Sequence, residues 1–198
     1  GTGLFEPIPL VERPMPPAIS PRVDLTKKSA IVYLTDFHFG PGLKDVPRGT
    51  VKRLRLFNYT YGYRGIGGHA VFGLESCWDS KRVLGSVPVN EDGSASFRIP
   101  ANTPIALQPL DEKGRALQLM RSWLVAMPGE ILSCVGCHEH PNSVPPSRMT
   151  YASTDKPSEI EPWHGPARAF SFDHEVQPVL DKYCAGCHDG TKPNRPTF

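Results

Sequence analysis

Two short stretches hold the residue types most able to do chemistry. Cys134, Cys137 and His138 stand in CVGCHEH, and Cys184, Cys187 and His188 stand in CAGCHDG. Cysteines at i and i+3 followed by histidine at i+4 lie on one face of a helical turn. That is the arrangement that tethers a c-type haem by two thioethers and gives its iron an imidazole. Paired CxxC knuckles can also build a tetrahedral zinc site of four thiolates, which is the competing chemistry. The histidines separate the two: with seven His in 198 residues, one directly after each pair arises by chance roughly 0.1% of the time. Disulfides within the pairs leave both histidines unexplained. The expectation is two covalently attached c-type haems, with His138 and His188 as proximal iron ligands.

A second axial ligand on each iron favours electron transfer, whereas an open position permits ligand binding or catalysis. The remaining histidines are His38, His69, His140, His164 and His174, and the methionines are Met15, Met120, Met127 and Met149. His174, in FSFDHEVQPVL ahead of the second motif, and His164 are candidates for the second haem. His69, behind two glycines in GIGGHA that allow close backbone approach, is a candidate for the first, followed by His38 in DFHFGPG. His140 sits too near His138 to reach the opposite face of the same iron, but it can serve a neighbouring haem. Cys77 is the odd cysteine and reads as a small buried thiol, with metal ligation as the alternative.

Covalent haem is attached outside the cytoplasm, so a periplasmic or extracellular location is expected, with any export signal not included in this sequence. Twenty-two basic and 20 acidic residues leave a formal charge of +2, and there is no basic run to recommend nucleic acid as a partner. Four propionates would add about −4. No apolar stretch has the length of a membrane helix.

The elements that position these motifs read mainly as β, in a β-sandwich. Residues 1–28 hold six prolines and are expected as an extended arm. Residues 29–140 form the sandwich domain with the first motif. AIVYLTDF is a compact strand, and VKRLRLFNYTYGY places Leu54 and Leu56 on one face, with Phe57, Tyr59, Tyr61 and Tyr63 on the other. Val83, Val87 and Val89, then Ala95, Phe97 and Ile99, keep period two on either side of the turn Asn90–Gly93. PIALQPLDEKGRALQLMRSW repeats that design around Asp111–Gly114. Residues 141–168 are a Pro-rich linker expected to drape over the sandwich through Ile160 and Trp163. Residues 169–198 form a small helical cytochrome c-like segment carrying the second motif, with Pro178 in the first turn of its helix.

The stretches VPRGTVKRLRLF, YGYRGIGGH, the block from Gly85 to Glu139, and EVQPVLDKYCAGCHDG together resemble the hydrazine synthase alpha subunit-like family, over about Ala30 to Gly190. The resemblance implies a β-rich middle domain with one c-type haem, followed by a cytochrome c-like domain with a second. It further implies an active site at the first haem and electron relay at the second. In the synthase a tyrosine just downstream of the first motif ligates the iron. Here Glu139, His140, Pro141 and Asn142 follow, and the next tyrosine is Tyr151. With His138 as an ordinary ligand, the simpler expectation is an exported dihaem cytochrome passing electrons to redox partner proteins or to copies of itself. Spare histidines and a terminal arm would also suit a homo-oligomer or a haem filament. A haem enzyme acting on small nitrogen compounds at the first haem is the alternative.

Overall fold

The structure is a computed structural model that describes residues 9, 11–59, 81–137, 147–168 and 171–191. It is mainly β. The strands are β1 (Ser29–Leu34), β2 (Arg53–Tyr59), β3 (Lys81–Pro88), β4 (Ala95–Pro100), β5 (Ile105–Leu110) and β6 (Ile131–Cys134). Helical structure among the described residues is short: a 3-10 turn (Pro41–Leu43), α1 (Tyr151–Thr154), a π turn (Phe172–Val176) and α2 (Gln177–Tyr183). Among these residues no helix is long and apolar enough to cross a membrane.

Two three-stranded sheets form, in the orders β4-β1-β6 and β3-β2-β5. All pairings are antiparallel except β1 with β6, which places Leu34 opposite Cys134. The period-two pattern explains the packing. Ala30, Val32 and Leu34 of β1 and Ala95, Phe97 and Ile99 of β4 point into one apolar cluster, where Leu54 and Leu56 of β2, Val87 of β3 and Ile105 of β5 meet them. Phe97, Leu54 and Leu56 are fully buried, each such side chain contributing about 1.5–3 kcal/mol.

The two sequence turns do different things. Asp111–Gly114 returns the chain alongside β5, with bridges Leu110 to Ala116 and Ile105 to Leu124. The strands either side of Asn90–Gly93 do not pair with each other: β3 lies in one sheet and β4 in the other. That turn closes on itself through Asn90 and Ser94, but the Gly93 carbonyl accepts from the Phe37 amide at 2.7 Å. The bond ties the turn to the end of β1, so it switches sheets. On β2 the alternation holds through Leu56, after which a register shift leaves Phe57 half-buried and Tyr59 buried. Tyr61 and Tyr63 lie outside the described residues.

One side of the sandwich is closed by residues 158–161. Ser158 exchanges backbone bonds with Ser96 and Arg98 of β4, and Glu161 does so with Ser86 of β3, so this strap spans the edges of both sheets. Gly85 makes the close approach possible: its φ is +144°, and a Cβ there would lie 2.1 Å from the Glu161 carbonyl oxygen. The opposite side, where β5 and β6 form the edges, carries the first motif. At the N-terminal end, residues 11–23 form no helix or strand, and Val11, Met15 and Ile19 are exposed.

Candidate functional site

Cys134 ends β6, and the turn after it is held from outside the motif. The amides of Thr35 and Asp36 donate to the carbonyls of Cys134 and Val135, and the Cys137 amide donates to the Phe39 carbonyl at 2.9 Å. Gly136 lies so close to this loop that a Cβ would stand 2.3 Å from Phe39 O and 2.8 Å from Asp36 O. The loop is itself braced by Asp36, whose nearly buried carboxylate accepts from the His38 amide, pairs with Arg48 and lies 3.4 Å from Arg148. Burial pushes the Cys137 thiol above its ordinary pKa.

Both thiols open into a cavity of about 240 Å3 between the sheets. Val32 and Leu34 of β1, Phe37, and Leu107 and Pro109 of β5 give it an apolar wall. The segment returning beside β5 closes it with Gln118, Leu119, Met120, Ser122 and Leu124. Two cysteines at the mouth of an apolar hollow suit a large, flat, covalently tethered ring such as a porphyrin. Tyr151, the first tyrosine after the motif, is not in the lining; it is exposed at the start of α1, its amide bonded to Asp92 at 3.0 Å.

The second motif has local backbone bonds. Cys184 follows α2, and the amides of Cys184 and Ala185 donate to Leu180 O, that of Cys187 to Cys184 O, and that of His188 to Cys184 O and Ala185 O. No residue of α2 or of the π turn is buried, and Phe172, Val179 and Tyr183 are exposed. Cys184 is half-buried and Cys187 exposed. Among the described residues no three His, Cys, Asp or Glu side chains gather as metal ligands. All four motif cysteines are among those residues, so the thiols do not converge on a four-thiolate zinc site.

The candidate distal histidines are scattered. His38 faces a separate cavity with Val51, Lys52 and Asn90, where its Nδ1 is buried without a hydrogen bond. Burial and the Arg48 charge lower its pKa against the opposing pull of Asp36, which favours the neutral imidazole. His164 has a left-handed φ of 49°, packs its ring 4.7 Å from that of Trp163, and lines a 530 Å3 cavity with Lys81, Arg82, Arg168 and Glu175. His174 is exposed on the π turn. His69, Cys77, His138 and His140 lie outside the described residues. Sequence reasoning missed that cationic cavity, whose members come from residues 81 to 175 and share no local pattern. It also gave Met120 no precedence over the other methionines.

Comparison with known proteins agrees with this architecture. Residues 49–139 match the family described as hydrazine synthase alpha subunit middle domain. Over 222 aligned positions the chain is 24% identical to the hydrazine synthase subunit alpha of Kuenenia stuttgartiensis, covering 76% of this chain and 27% of that protein. The chain thus spans about a quarter of the length of that relative. The solved hydrazine synthase of the same organism has a similar fold, with a TM-score of 0.65 at 19% identity, over 85% of this chain and 31% of that one.

Proposed function

We propose that this chain is a dihaem region of a hydrazine synthase-like protein, in which the first haem, in the sandwich cavity, meets small nitrogen compounds and the second passes electrons. The observation that carries this reading is the cavity itself. It takes in Cys134 and Cys137, and its lining from Leu107 to Cys137 falls within residues 49–139, which match the synthase middle domain, while Val32, Leu34 and Phe37 of its wall precede that range. When bound, haem supplies a redox-active iron able to coordinate a small nitrogen ligand.

The chain's own residues hold, orient and exclude water. Cys134 and Cys137 tether the first group and His138 ligates its iron. Val32, Leu34, Phe37 and Leu107 keep the site dry, and such burial is a lever on potential. Asp36, Phe39 and Gly136 fix the thiols before anything is attached. A hollow of 240 Å3 is smaller than the roughly 300–1,000 Å3 of enclosed ligand sites, so it would enclose only part of a haem and leave the mouth open to small molecules. Cys184, Cys187 and His188 hold the second haem on an exposed turn, suited to electron exchange. His164 and His174 are its distal candidates, His164 lining a cavity together with Glu175, the residue after His174. The site lies outside the cytoplasm, and the partners are redox proteins or other subunits.

Electron transfer at both haems is the second reading, favoured by the absence of Tyr151 from the cavity lining. The test is addition of nitric oxide or cyanide to the oxidised and reduced protein. Spectral change at one of two haems supports a reactive first site, and an unaltered low-spin spectrum supports pure electron transfer.

A further inference from the structure

We propose that the thioether of Met120 is the sixth ligand of the iron at the first motif. This rests on reading Cys134–His138 as a haem site. Three observations place the sulfur there. Met120 lines the same cavity as Cys134 and Cys137, whereas none of the described histidines does. The other methionines are exposed, Met15 at 91%, Met149 at 84% and Met127 at 45%, and none of them lines this cavity.

The third observation is how the chain departs from strand geometry around this residue. Beside β5, the Leu117 amide donates to Pro109, Met120 to Leu107 and Leu124 to Ile105. Between the first two pairings the returning segment carries one extra residue, and between the last two it carries two extra. Met120 therefore sits in an irregular stretch between the isolated bridges at Ala116 and Leu124, tied to β5 through its own amide. Regular alternation would turn Leu119 away from a face shared by Gln118 and Met120, yet all three line the cavity. Met120 is partly buried against the core cluster, and its three rotatable bonds let the thioether swing from that packing into the cavity.

A neutral sulfur cap has two consequences. Methionine with histidine would give the iron a higher potential than a two-imidazole site. Such a cap would also close the resting site, so that a small nitrogen ligand would have to displace the Met120 thioether.

The test uses the full exported chain with haem attached, examined by optical spectroscopy, proton NMR and redox titration. The wild type is expected to show the far-red sulfur-to-iron charge-transfer band when oxidised, and a strongly upfield methionine methyl resonance when reduced. Met120→Leu loses both while haem staining after denaturing electrophoresis persists, and it binds nitric oxide faster. Met120→His, which keeps the position ligated should the leucine variant fold poorly, exchanges the sulfur signature for a two-imidazole one with a lower midpoint potential. Met127→Leu and Met149→Leu change nothing. Persistence of the sulfur signature in Met120→Leu, or its absence from a wild type that stains for haem at the first motif, overturns the proposal. A Cys184→Ala/Cys187→Ala chain without stain would instead overturn the haem reading of the first motif itself.

Discussion

The two CxxCH motifs are nearly identical in sequence and opposite in setting. Around Cys134 and Cys137, hydrogen bonds arrive from Thr35, Asp36 and Phe39, about a hundred residues away in the chain, and the thiols face a prepared apolar cavity. Around Cys184 and Cys187 the amides of Cys184, Ala185, Cys187 and His188 donate to residues no more than five positions away, and Phe172, Val179 and Tyr183 nearby are exposed. Under the proposed dihaem reading, the first site would be built in advance by tertiary packing and the second left as a turn whose exposed apolar neighbours a bound group could cover. The first arrangement gives control over access and potential. The second gives exposure, which suits exchange of electrons with a partner.

The sharpest way to break this contrast is at the same place in both motifs. Gly136→Ala forces a Cβ into Phe39 O and Asp36 O, and by the usual cost of overpacking it destabilises the protein by about 3 kcal/mol in denaturant unfolding. Gly186→Ala, with nothing within 4 Å, changes stability by no more than about 0.5 kcal/mol. Equal effects would mean that the first motif is not braced as described.

Asp36→Ala comes next. It removes the acceptor for the His38 amide and the partner of Arg48 and Arg148. Because Arg48 is 61% exposed, the expected loss is that of charged hydrogen bonds rather than of a fully buried pair, about 2 kcal/mol. The redox transition of the first haem should shift while that of the second stays. Val179→Ser on the exposed face of α2 should alter the stability of the haem-free chain by less than about 0.5 kcal/mol.

The smallest effect is with acid. Burial alone would raise the Asp92 pKa, but hydrogen bonds from Ser94 and Tyr151 and the charge of Arg148 hold it below its ordinary value. The folded state therefore binds the proton less readily than the unfolded one. The stabilisation is complete above the ordinary carboxylate pKa near 3.9 and fades as pH falls through the lower folded value. A stability profile of Asp92→Asn should be flatter than wild type below about pH 4 and parallel to it near neutrality.

How much was legible in the sequence follows the same division. The second motif is a helical turn defined by its own five residues, so spacing alone described its backbone. The alternation of Ala30, Val32 and Leu34 and of Ala95, Phe97 and Ile99 identified core-facing strands, because period two is written residue by residue. The sheet switch after β3 was not legible, since it depends on Phe37 reaching Gly93 across 56 positions. Nor was the cavity, whose lining is drawn from β1, Phe37, β5, the irregular segment after it and the first motif. Met120 looked like one of four methionines until the fold set it in the lining of the cavity that holds Cys134 and Cys137.

The most direct test of the account is the intact mass of the denatured polypeptide, expressed with its export route in a host that attaches c-type haem. The account predicts the chain plus two haems, falling by one in Cys134→Ala/Cys137→Ala and by the other in Cys184→Ala/Cys187→Ala. A polypeptide at its unmodified mass, or one that loses no haem when the sandwich cysteines are removed, would contradict it.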